Sequence, residues 1–344
     1  MSGTGKRKAC AAAAVVGVWT TPESPREMDA PALASPVSME NWLAGMTNAD
    51  KLELCEANRL QTQLLYGTEV LVQEERDGWA HILIPTQSTR KNADGYPGWV
   101  PLAQLAEPLP QPEDSVWAVV TSDRAEPVWP EGTDGARPER LSFLTRLPVL
   151  GEPEGGQVRV ATPHGSALLR LADVRLERED SRTAGEGSAA ADAGAPAARS
   201  AGRVTAGQAA VPAEDASVPH AGARIVENGK RFLGLPYLWG GMSSYGYDCS
   251  GFAHNMHLAL GIRIPRDASD QATAGRAVQK EELEPGDLLF FAYEEGKGPV
   301  HHVGIYAGEN RMLHSPDSNS AIELVDLDGY KLLPEHCASR RYWG

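Results

Sequence analysis

The stretch GLPYLWGGMSSYGYDCSGF, residues 234–252, decides the fold of the C-terminal part of the chain. It sets Cys249, one of only four cysteines, among glycines, serines and an aspartate, at the head of the helix-like run CSGFAHNMHLALG. The thiolate is the reactive form of cysteine, and the unpaired N–H groups and dipole at a helix N-terminus favour negative charge. We therefore predict that Cys249 begins a helix, has a lowered pKa and serves as a nucleophile. Its polar neighbours Asp248 and Ser250 argue against a buried structural cysteine.

A cysteine nucleophile needs a base, and the base needs a group that orients it. Two histidines open the predicted strand HHVGIYAG, and the alternation of a strand separates them. His301 shares a face with the apolar Val303, which is typical of core, whereas His302 shares the other face with Gly304. Because Gly304 would leave room for a packed helix, we predict His302 as the base. His314, in the next predicted strand RMLHS, would hold its second ring nitrogen.

Zinc binding is the competing use of cysteine and histidine. His254 and His257 lie three residues apart on the predicted cysteine helix and could share a face. No cysteine pair and no HExxH spacing accompanies them, so we expect no metal. The chain also has no GxSxG elbow, and the sequence therefore does not support a serine hydrolase.

The composition describes a globular protein whose charge excludes some partners. Of the 344 residues, 42% are hydrophobic and 23% are charged, as expected for a soluble chain. The formal net charge of −14 argues against nucleic acid and against an anionic membrane surface, since both require clustered lysine and arginine. No run of about 18 apolar residues is present, so we expect no membrane span.

The cysteines and the N-terminus bear on the compartment. Cys10, Cys55, Cys249 and Cys337 are far apart and form no CxxC pair, which favours a reducing compartment, the cytoplasm. The start, MSGTGKRKACAAAAVVGVWTTP, has basic residues before an apolar run, as a secretory signal does. The run is short and ends in good strand residues. We therefore predict a first β-strand here and keep export as the alternative.

Two β-rich units precede the cysteine stretch. Residues 1–110 are expected to form a small β domain with a helical insertion, in which EVLVQEERDGWAHILIP is a hairpin turning at Asp77-Gly78. Residues 111–177 repeat this plan, with LPVLGEPEGGQVRVATP as a hairpin turning at Gly155-Gly156. Two tandem units of short strands suggest paired small barrels.

A change of composition separates these units from the rest. Residues 178–221 are rich in Ala, Gly, Ser and Pro and contain no leucine or isoleucine. Such a segment cannot bury enough apolar surface to offset its ordering entropy, so we predict a disordered linker. Residues 222–344 resume a globular pattern of helices and then strands. A cysteine helix ahead of a sheet that carries histidines is an α+β arrangement.

The motifs GLPYLWGGMSSYGYDCSGF, IPRDASDQ, PGDLLFF, HHVGIYAG and MLHS, in this order, resemble the NlpC-type cysteine peptidases of bacterial cell walls. Upstream, VWTTPESPREMDAPAL, TQLLYG and GYPGWVP resemble the first SH3-like domain of the YkfC-type γ-D-glutamyl-L-diamino acid endopeptidases. Those enzymes have two such domains before the catalytic one. The resemblance implies a multidomain chain, with two small SH3-like β-barrels followed by a papain-like α+β cysteine peptidase domain.

The resemblance also implies an activity. Peptidases of this branch cut peptidoglycan stem peptides between γ-D-Glu and Lys or diaminopimelate, and they need no cofactor. They require a free N-terminal L-Ala and so act on peptides already released from glycan. We expect a monomeric, cytoplasmic dipeptidyl-peptidase of murein recycling. The alternatives are a secreted wall-remodelling endopeptidase, a wall-peptide binding module with a degenerate catalytic domain, and an acyltransferase on the same fold.

The resemblance assigns roles to nine residues. The catalytic ones are the nucleophile Cys249, the base His302 and the third polar residue His314; those that contact substrate or shape its site are Tyr237, Asp248, Ser250, Asp267, Tyr96 and Gln61. Tyr237 is expected to shape the oxyanion environment, Asp248 to bind the L-Ala ammonium, and Tyr96 to close one end of the cleft. Gln61 stands where the family often has a glutamate, and a neutral amide gives up charge assistance toward the substrate amine.

Overall fold

The structure is a computed structural model that describes residues 7–111, 115–131, 137–178 and 221–344. The predicted linker, 178–221, lies outside the described residues apart from its two ends. The described residues form three sheet-containing units in sequence order. None of the helices in these ranges is long and apolar enough to cross a membrane.

The first unit is built on one seven-stranded sheet with the order β3-β2-β6-β5-β4-β1-β7. Its strands are β1 (Arg7–Ala11), β2 (Val15–Trp19), β3 (Leu60–Leu65), β4 (Glu69–Arg76), β5 (Trp79–Ile84), β6 (Tyr96–Pro101) and β7 (Leu105–Ala106). The apolar run near the N-terminus thus forms two buried strands, as its strand-favouring residues predict. Alternating apolar side chains of these strands make a separate small core.

The insertion and the first hairpin of this unit follow the sequence signals. Three helices connect β2 to β3: α1 (Ala30–Leu33), α2 (Met39–Gly45) and α3 (Asn48–Glu56). Asp77 and Gly78 turn the chain between β4 and β5 with φ of 49° and 81°. Both values lie in the left-handed region, which the tight hairpin turn requires and which Asp-Gly adopts readily.

The second unit consists of shorter strands in three small sheets. The strands are β8 (Val116–Val120), β9 (Arg124–Ala125), β10 (Leu141–Ser142), β11 (Arg146–Pro148), β12 (Gln157–Thr162), β13 (Gly165–Arg170) and β14 (Val174–Arg178). The turn predicted at Gly155-Gly156 is present, because both glycines have positive φ and Glu154 bridges Gln157. The pairing predicted around it is wrong in part, since the ladder of β12 is made with β13, while β11 pairs with β8.

The third unit places helices ahead of a six-stranded sheet with the order β17-β22-β18-β19-β20-β21. Its helices are α4 (Ala221–Lys230), α5 (Cys249–Leu258) and α6 (Ala268–Gln271). Its strands are β15 (Met242–Ser243), β16 (Gly246–Tyr247), β17 (Arg276–Ala277), β18 (Leu288–Ala292), β19 (Val300–Gly308), β20 (Arg311–His314), β21 (Glu323–Asp326) and β22 (His336–Arg341). Phe252 and Met256 of α5 share one core with Val303 and Ile305 of β19, so the cysteine helix lies on the sheet as predicted.

The first unit is joined to the third by buried polar contacts. The Oε1 atom of Gln63 accepts hydrogen bonds of 2.9 Å from the backbone N–H of Met242 and from the hydroxyl of Ser243. Arg266 donates from Nε to Oγ1 of Thr62 at 2.9 Å. These contacts bring the first unit against the segment that leads into the cysteine helix.

Candidate active site

The entry to α5 fixes the position of Cys249. Asp248 is the N-cap, with φ of −84° and ψ of 177°, and its Oδ1 accepts the N–H of Gly251 at 2.6 Å. A Cβ on Gly251 would lie 2.2 Å from the carbonyl oxygen of Gly241, so this position requires glycine. Cys249 is therefore the first residue of the helix, where backbone N–H groups are unpaired.

The thiol of Cys249 does not have the lowered pKa that the helix start predicts. Its residue is half-buried, and burial raises the pKa of the thiol to about 12, with the Asp248 carboxylate adding to the rise. The N–H groups of Val303 and Ser250 oppose this rise without reversing it. The sequence interpretation missed that the polar neighbours of Cys249 are themselves buried and that one of them carries a negative charge.

The Val303 contact sets the thiol beside the strand residue that follows His302. His302 is buried, and its Nε2 lies 2.9 Å from Nδ1 of His314. Because Nε2 is engaged in this way, Nδ1 is the nitrogen of His302 available to Cys249. Burial lowers the pKa of His302 well below its usual value, and the His314 ring lowers it further. Burial also lowers the pKa of His314 to about 4.

The two neighbouring histidines of β19 point to different surroundings, as strand alternation predicts. His301 places Nε2 2.8 Å from Oε2 of Glu335 and stacks on Tyr293 with ring centroids 4.1 Å apart. Gly304, however, does not leave room for a packed helix, contrary to the prediction that favoured His302. The space above Gly304 is taken by the side chains of Met312 and His314, and the helix packs on the opposite face of the strand.

A residue that the sequence did not single out extends the histidine pair. Glu323 lies directly across from His314 on β21, and its Oε1 is 3.4 Å from Nε2 of His314. For His302 to accept a proton at Nδ1, its Nε2 must carry the hydrogen and donate to His314. His314 then carries its own hydrogen on Nε2, the atom that faces the Glu323 carboxylate.

A buried arginine organises the polar residues that flank Cys249. Arg266 makes two hydrogen bonds to the carboxylate of Asp248, at 3.1 and 2.6 Å, and a third to Oγ of Ser250 at 2.9 Å. Both Asp248 oxygens are thus occupied and the residue is only 6% exposed, so the structure does not support the predicted contact between Asp248 and a substrate ammonium. Arg266 was missed because the sequence shows no pairing between residues 18 positions apart.

Tyr237 is placed near the nucleophile. It is buried, and burial raises the pKa of its phenol, with the nearby Cys249 and Asp248 adding to the rise. Its backbone forms a bridge to Tyr247 just before the helix start. The role of Tyr237 in shaping the surroundings of the oxyanion stays a prediction.

A second polar cluster forms where the first unit meets the third. The hydroxyl of Tyr96 donates to Oδ1 of Asp267 at 2.9 Å, and it lies 3.5 Å from Oε1 of Gln61. The predicted substrate residues Tyr96, Gln61 and Asp267 are thus brought together, although two come from the first unit. Lys91, which the sequence did not indicate, contacts all three.

The histidines weighed as zinc ligands lie inside the cysteine helix. Nδ1 of His257 is 2.8 Å from the carbonyl oxygen of Ala253, and Nδ1 of His254 is 3.3 Å from that of Pro265. Burial lowers the pKa of each to about 4. Within residues 7–111, 115–131, 137–178 and 221–344, no three His, Cys, Asp or Glu side chains are grouped as metal ligands would be.

Sequence models of known families match each of the three units. The NlpC/P60 family matches residues 234–341. The bacterial dipeptidyl-peptidase SH3 domain matches residues 56–105, and the YKFC SH3b2 domain matches residues 135–176. The chain thus has two SH3-like domains before a C-terminal peptidase domain, as predicted.

Relatives and a solved structure match nearly the whole chain. It is 39% identical over 328 residues to a γ-D-glutamyl-L-lysine dipeptidyl-peptidase of Bacillus subtilis, covering 95% of this chain and 96% of that protein. A protein of the same name from Bacillus cereus is 35% identical over 328 residues, covering 94% and 88%. The crystal structure of an NlpC/P60 family protein from Bacillus cereus superposes with a TM-score of 0.82 at 35% identity, covering 98% of this chain and 100% of that one.

Proposed function

Because the chain belongs to the NlpC/P60 family of cysteine peptidases, we propose which bond it cleaves and in which peptides. It is a hydrolase that acts on peptides of peptidoglycan. The proposed bond joins γ-D-Glu to the L-diamino acid that follows, Lys or diaminopimelate, in stem peptides whose L-Ala is N-terminal and free. The proposed role is murein peptide recycling by a monomer in the cytoplasm.

The proposed mechanism begins with a neutral Cys249–His302 pair. Because the thiol pKa is raised and the imidazole pKa is lowered, the proton stays on sulfur until substrate binds. Sγ then attacks the γ-glutamyl carbonyl carbon while Nδ1 of His302 takes the thiol proton. The first N–H groups of α5 stabilise the oxyanion, with Tyr237 beside them.

The second half of the reaction returns the enzyme to its starting state. His302 donates its proton to the nitrogen of the leaving diamino acid, and the C–N bond breaks to give a thioester. Water, deprotonated by His302, attacks the thioester carbon, the C–S bond breaks, and His302 returns the proton to Sγ as L-Ala-γ-D-Glu is released. Every proton transfer uses His302, and the reaction needs no cofactor.

One observation carries the proposal that the substrate has no residue before its N-terminal L-Ala. Tyr96 of the first SH3-like domain donates to Asp267 of the peptidase domain at 2.9 Å and is only 1% exposed. Asp267 directly follows Arg266, whose guanidinium contacts both residues that flank Cys249. A substrate that reaches from Cys249 toward Asp267 would meet Tyr96 of the first domain, and the carboxylate of Asp267 would face its terminal ammonium.

The test compares L-Ala-γ-D-Glu-L-Lys and L-Ala-γ-D-Glu-diaminopimelate with their N-acetylated forms, using mass spectrometry to identify products. We expect release of L-Ala-γ-D-Glu, and a kcat/KM for the free peptides about tenfold to a hundredfold higher than for the blocked ones, as for one charge-assisted contact. The Cys249→Ala protein should release nothing. Equal rates on free and blocked peptides would contradict the recycling role and favour a secreted wall-remodelling enzyme.

A further inference from the structure

The carboxylate offered to the substrate ammonium already holds an ammonium of this chain. Nζ of Lys91 lies 2.9 Å from Oδ2 of Asp267 and 3.2 Å from Oε1 of Gln61. It also contacts the hydroxyl of Tyr96 and stands 4.2 Å from the centroid of that ring. A carboxylate, an amide oxygen, a phenol oxygen and an aromatic face are the partners that an ammonium binds in proteins.

The charges in this cluster allow one tightly bound cation. Asp267 supplies the negative charge of the cluster, because Gln61 is neutral. The ammonium of Lys91 balances that charge. Oδ1 of Asp267 accepts the Tyr96 hydroxyl at 2.9 Å, so a second ammonium would have to share Oδ2 with Nζ and would lie roughly 4–5 Å from it, where two like charges repel by several kcal/mol at the dielectric of a protein surface. A substrate ammonium can therefore bind Asp267 closely only after Nζ has moved.

The side chain of Lys91 is free to make that move. Lys91 lies in the connection between β5 and β6, and 44% of its side chain is exposed, against 24% for Asp267. A lysine ammonium sits on a flexible four-carbon stem and is readily solvated. The neighbouring Arg90 is tied to Asp270 by its backbone N–H at 2.8 Å and its Nε at 2.6 Å, so the loop itself stays anchored.

We propose that Lys91 occupies the ammonium pocket of the substrate-free enzyme and competes with the N-terminal ammonium of the substrate for Asp267. This inference rests on the free-amine part of the proposed function. Lys91 thereby sets how strongly the enzyme selects free N-termini, because part of the binding free energy of the substrate ammonium is used to displace it. N-acetylated peptides, which bring no cation, do not gain from its removal in the same way.

The test uses the full-length Lys91→Met protein, in which a side chain of similar length lacks the charge, and Lys280→Met as a matched loss of one exposed lysine. We expect the KM for the free tripeptide to fall about fivefold in Lys91→Met, the size of one partly exposed ion pair, with kcat within about twofold. The KM for the N-acetylated tripeptide, and both constants of Lys280→Met, should change by less than about twofold.

A binding measurement separates failure of this inference from failure of the proposed function. Calorimetry measures the affinity of the dipeptide L-Ala-γ-D-Glu for the Cys249→Ala protein, with and without Lys91→Met. No cleavage takes place in this measurement. Tighter binding after Lys91→Met supports the inference, whether or not the tripeptide is cleaved. Absence of cleavage contradicts only the proposed function. Unchanged, weaker or undetectable binding after Lys91→Met overturns the inference, whatever the enzyme cleaves.

Discussion

The thiol of Cys249 and the ring of His302 are both held uncharged by burial, which shifts their pKa values in opposite directions. A thiolate–imidazolium pair would have to form against both shifts. The structure therefore favours proton transfer that accompanies attack on the substrate. In this arrangement the orientation of the imidazole, set by His314, matters as much as its basicity.

The two histidines of β19 can be told apart by substitution. We expect His302→Ala to lower kcat by at least about a thousandfold, because the general base and acid is lost. His301→Ala should lower kcat by less than about fivefold, because its ring is engaged with Glu335 and Tyr293. Steady-state kinetics with the free tripeptide give both numbers, and melting curves confirm that each variant is folded. Inactivation by His301→Ala with a functional His302→Ala would reverse the assignment.

The pH profile tests the lowered pKa of the base. The active form of His302 is the neutral one, so activity persists below pH 6.5, the usual histidine value, and is lost only as pH falls through the lowered pKa. Lys331→Met removes a cation that lowers the pKa of His302 and of His314. The acid limb of kcat/KM should then move to higher pH by roughly a few tenths of a unit. A limb at or above pH 6.5 in the unmodified protein, or a shift to lower pH in the variant, would contradict this.

The sequence indicated Cys249, His302 and His314, and it gave no sign of Arg266 or Glu323, which contact their neighbours. Cys249 and His302 were indicated by local signals, a helix start and a strand alternation. Arg266 and Glu323 act through partners that are distant in the sequence, Asp248 and His314, and a single chain shows no trace of such pairing. The thiol pKa was predicted in the wrong direction for the same reason, since burial is a tertiary property.

At the scale of elements, the start of α5 combines a helix cap with a buried ion pair. Asp248 caps the helix through Gly251 and also neutralises Arg266, whose side chain is only 1% exposed. Removing one partner of a buried pair leaves an uncompensated charge, which is more costly than the loss of a cap. The local and tertiary roles of Asp248 can therefore be separated by two substitutions.

We expect Asp248→Ala to lower the free energy of unfolding by about 3–5 kcal/mol, because Arg266 stays charged and loses its carboxylate. Asp248→Asn keeps an acceptor for the N–H of Gly251 and should cost less, although it too removes the charge. Urea unfolding followed by circular dichroism measures both, with Asp326→Ala, at an exposed position of β21, as the control. If alanine and asparagine cost the same and both stay below about 1 kcal/mol, the ion pair does not stabilise the helix start.

The two hairpin turns predicted from dipeptides in the sequence are present in the structure. Asp77-Gly78 and Gly155-Gly156 turn the chain as predicted, because their left-handed conformations are a property of those residues. The strand partner of β12 was decided by a further tight turn that the prediction did not include. Thr162 pairs with Gly165, so β12 and β13 form a hairpin of their own, and the segment before the second turn keeps only the bridges of Val149 to Val160 and of Glu154 to Gln157.

At the scale of the molecule, the first SH3-like domain is joined to the peptidase domain, next to the candidate active site, by buried polar contacts. Gln63 and Thr62 of β3 bind the segment around β15 and the guanidinium of Arg266. Such contacts are specific in geometry and costly when one partner is lost. They fix Tyr96 and Gln61 relative to Asp267, so the specificity proposed for the enzyme depends on how the two domains are joined.

Gln63 offers the sharpest test of that junction. Its Oε1 accepts two hydrogen bonds from the peptidase domain, and the residue is 1% exposed. Gln63→Leu leaves two buried donors, on Met242 and Ser243, without an acceptor and should cost about 2–4 kcal/mol. Gln73→Leu, at an exposed position of β4 in the same domain, is the matched control and should cost less than about 0.5 kcal/mol.

Calorimetry shows whether Gln63→Leu destabilises both domains together or only one of them. If the junction couples them, the first SH3-like domain and the peptidase domain unfold in one transition, and Gln63→Leu lowers its midpoint by several degrees. The same variant should weaken the preference for free over N-acetylated tripeptide, because Tyr96 and Gln61 lose their fixed position relative to Asp267. The opposite result would be two separate transitions, of which Gln63→Leu moves only the first, together with an unchanged preference for free amines. It would show that the peptidase domain selects its substrates without the first domain.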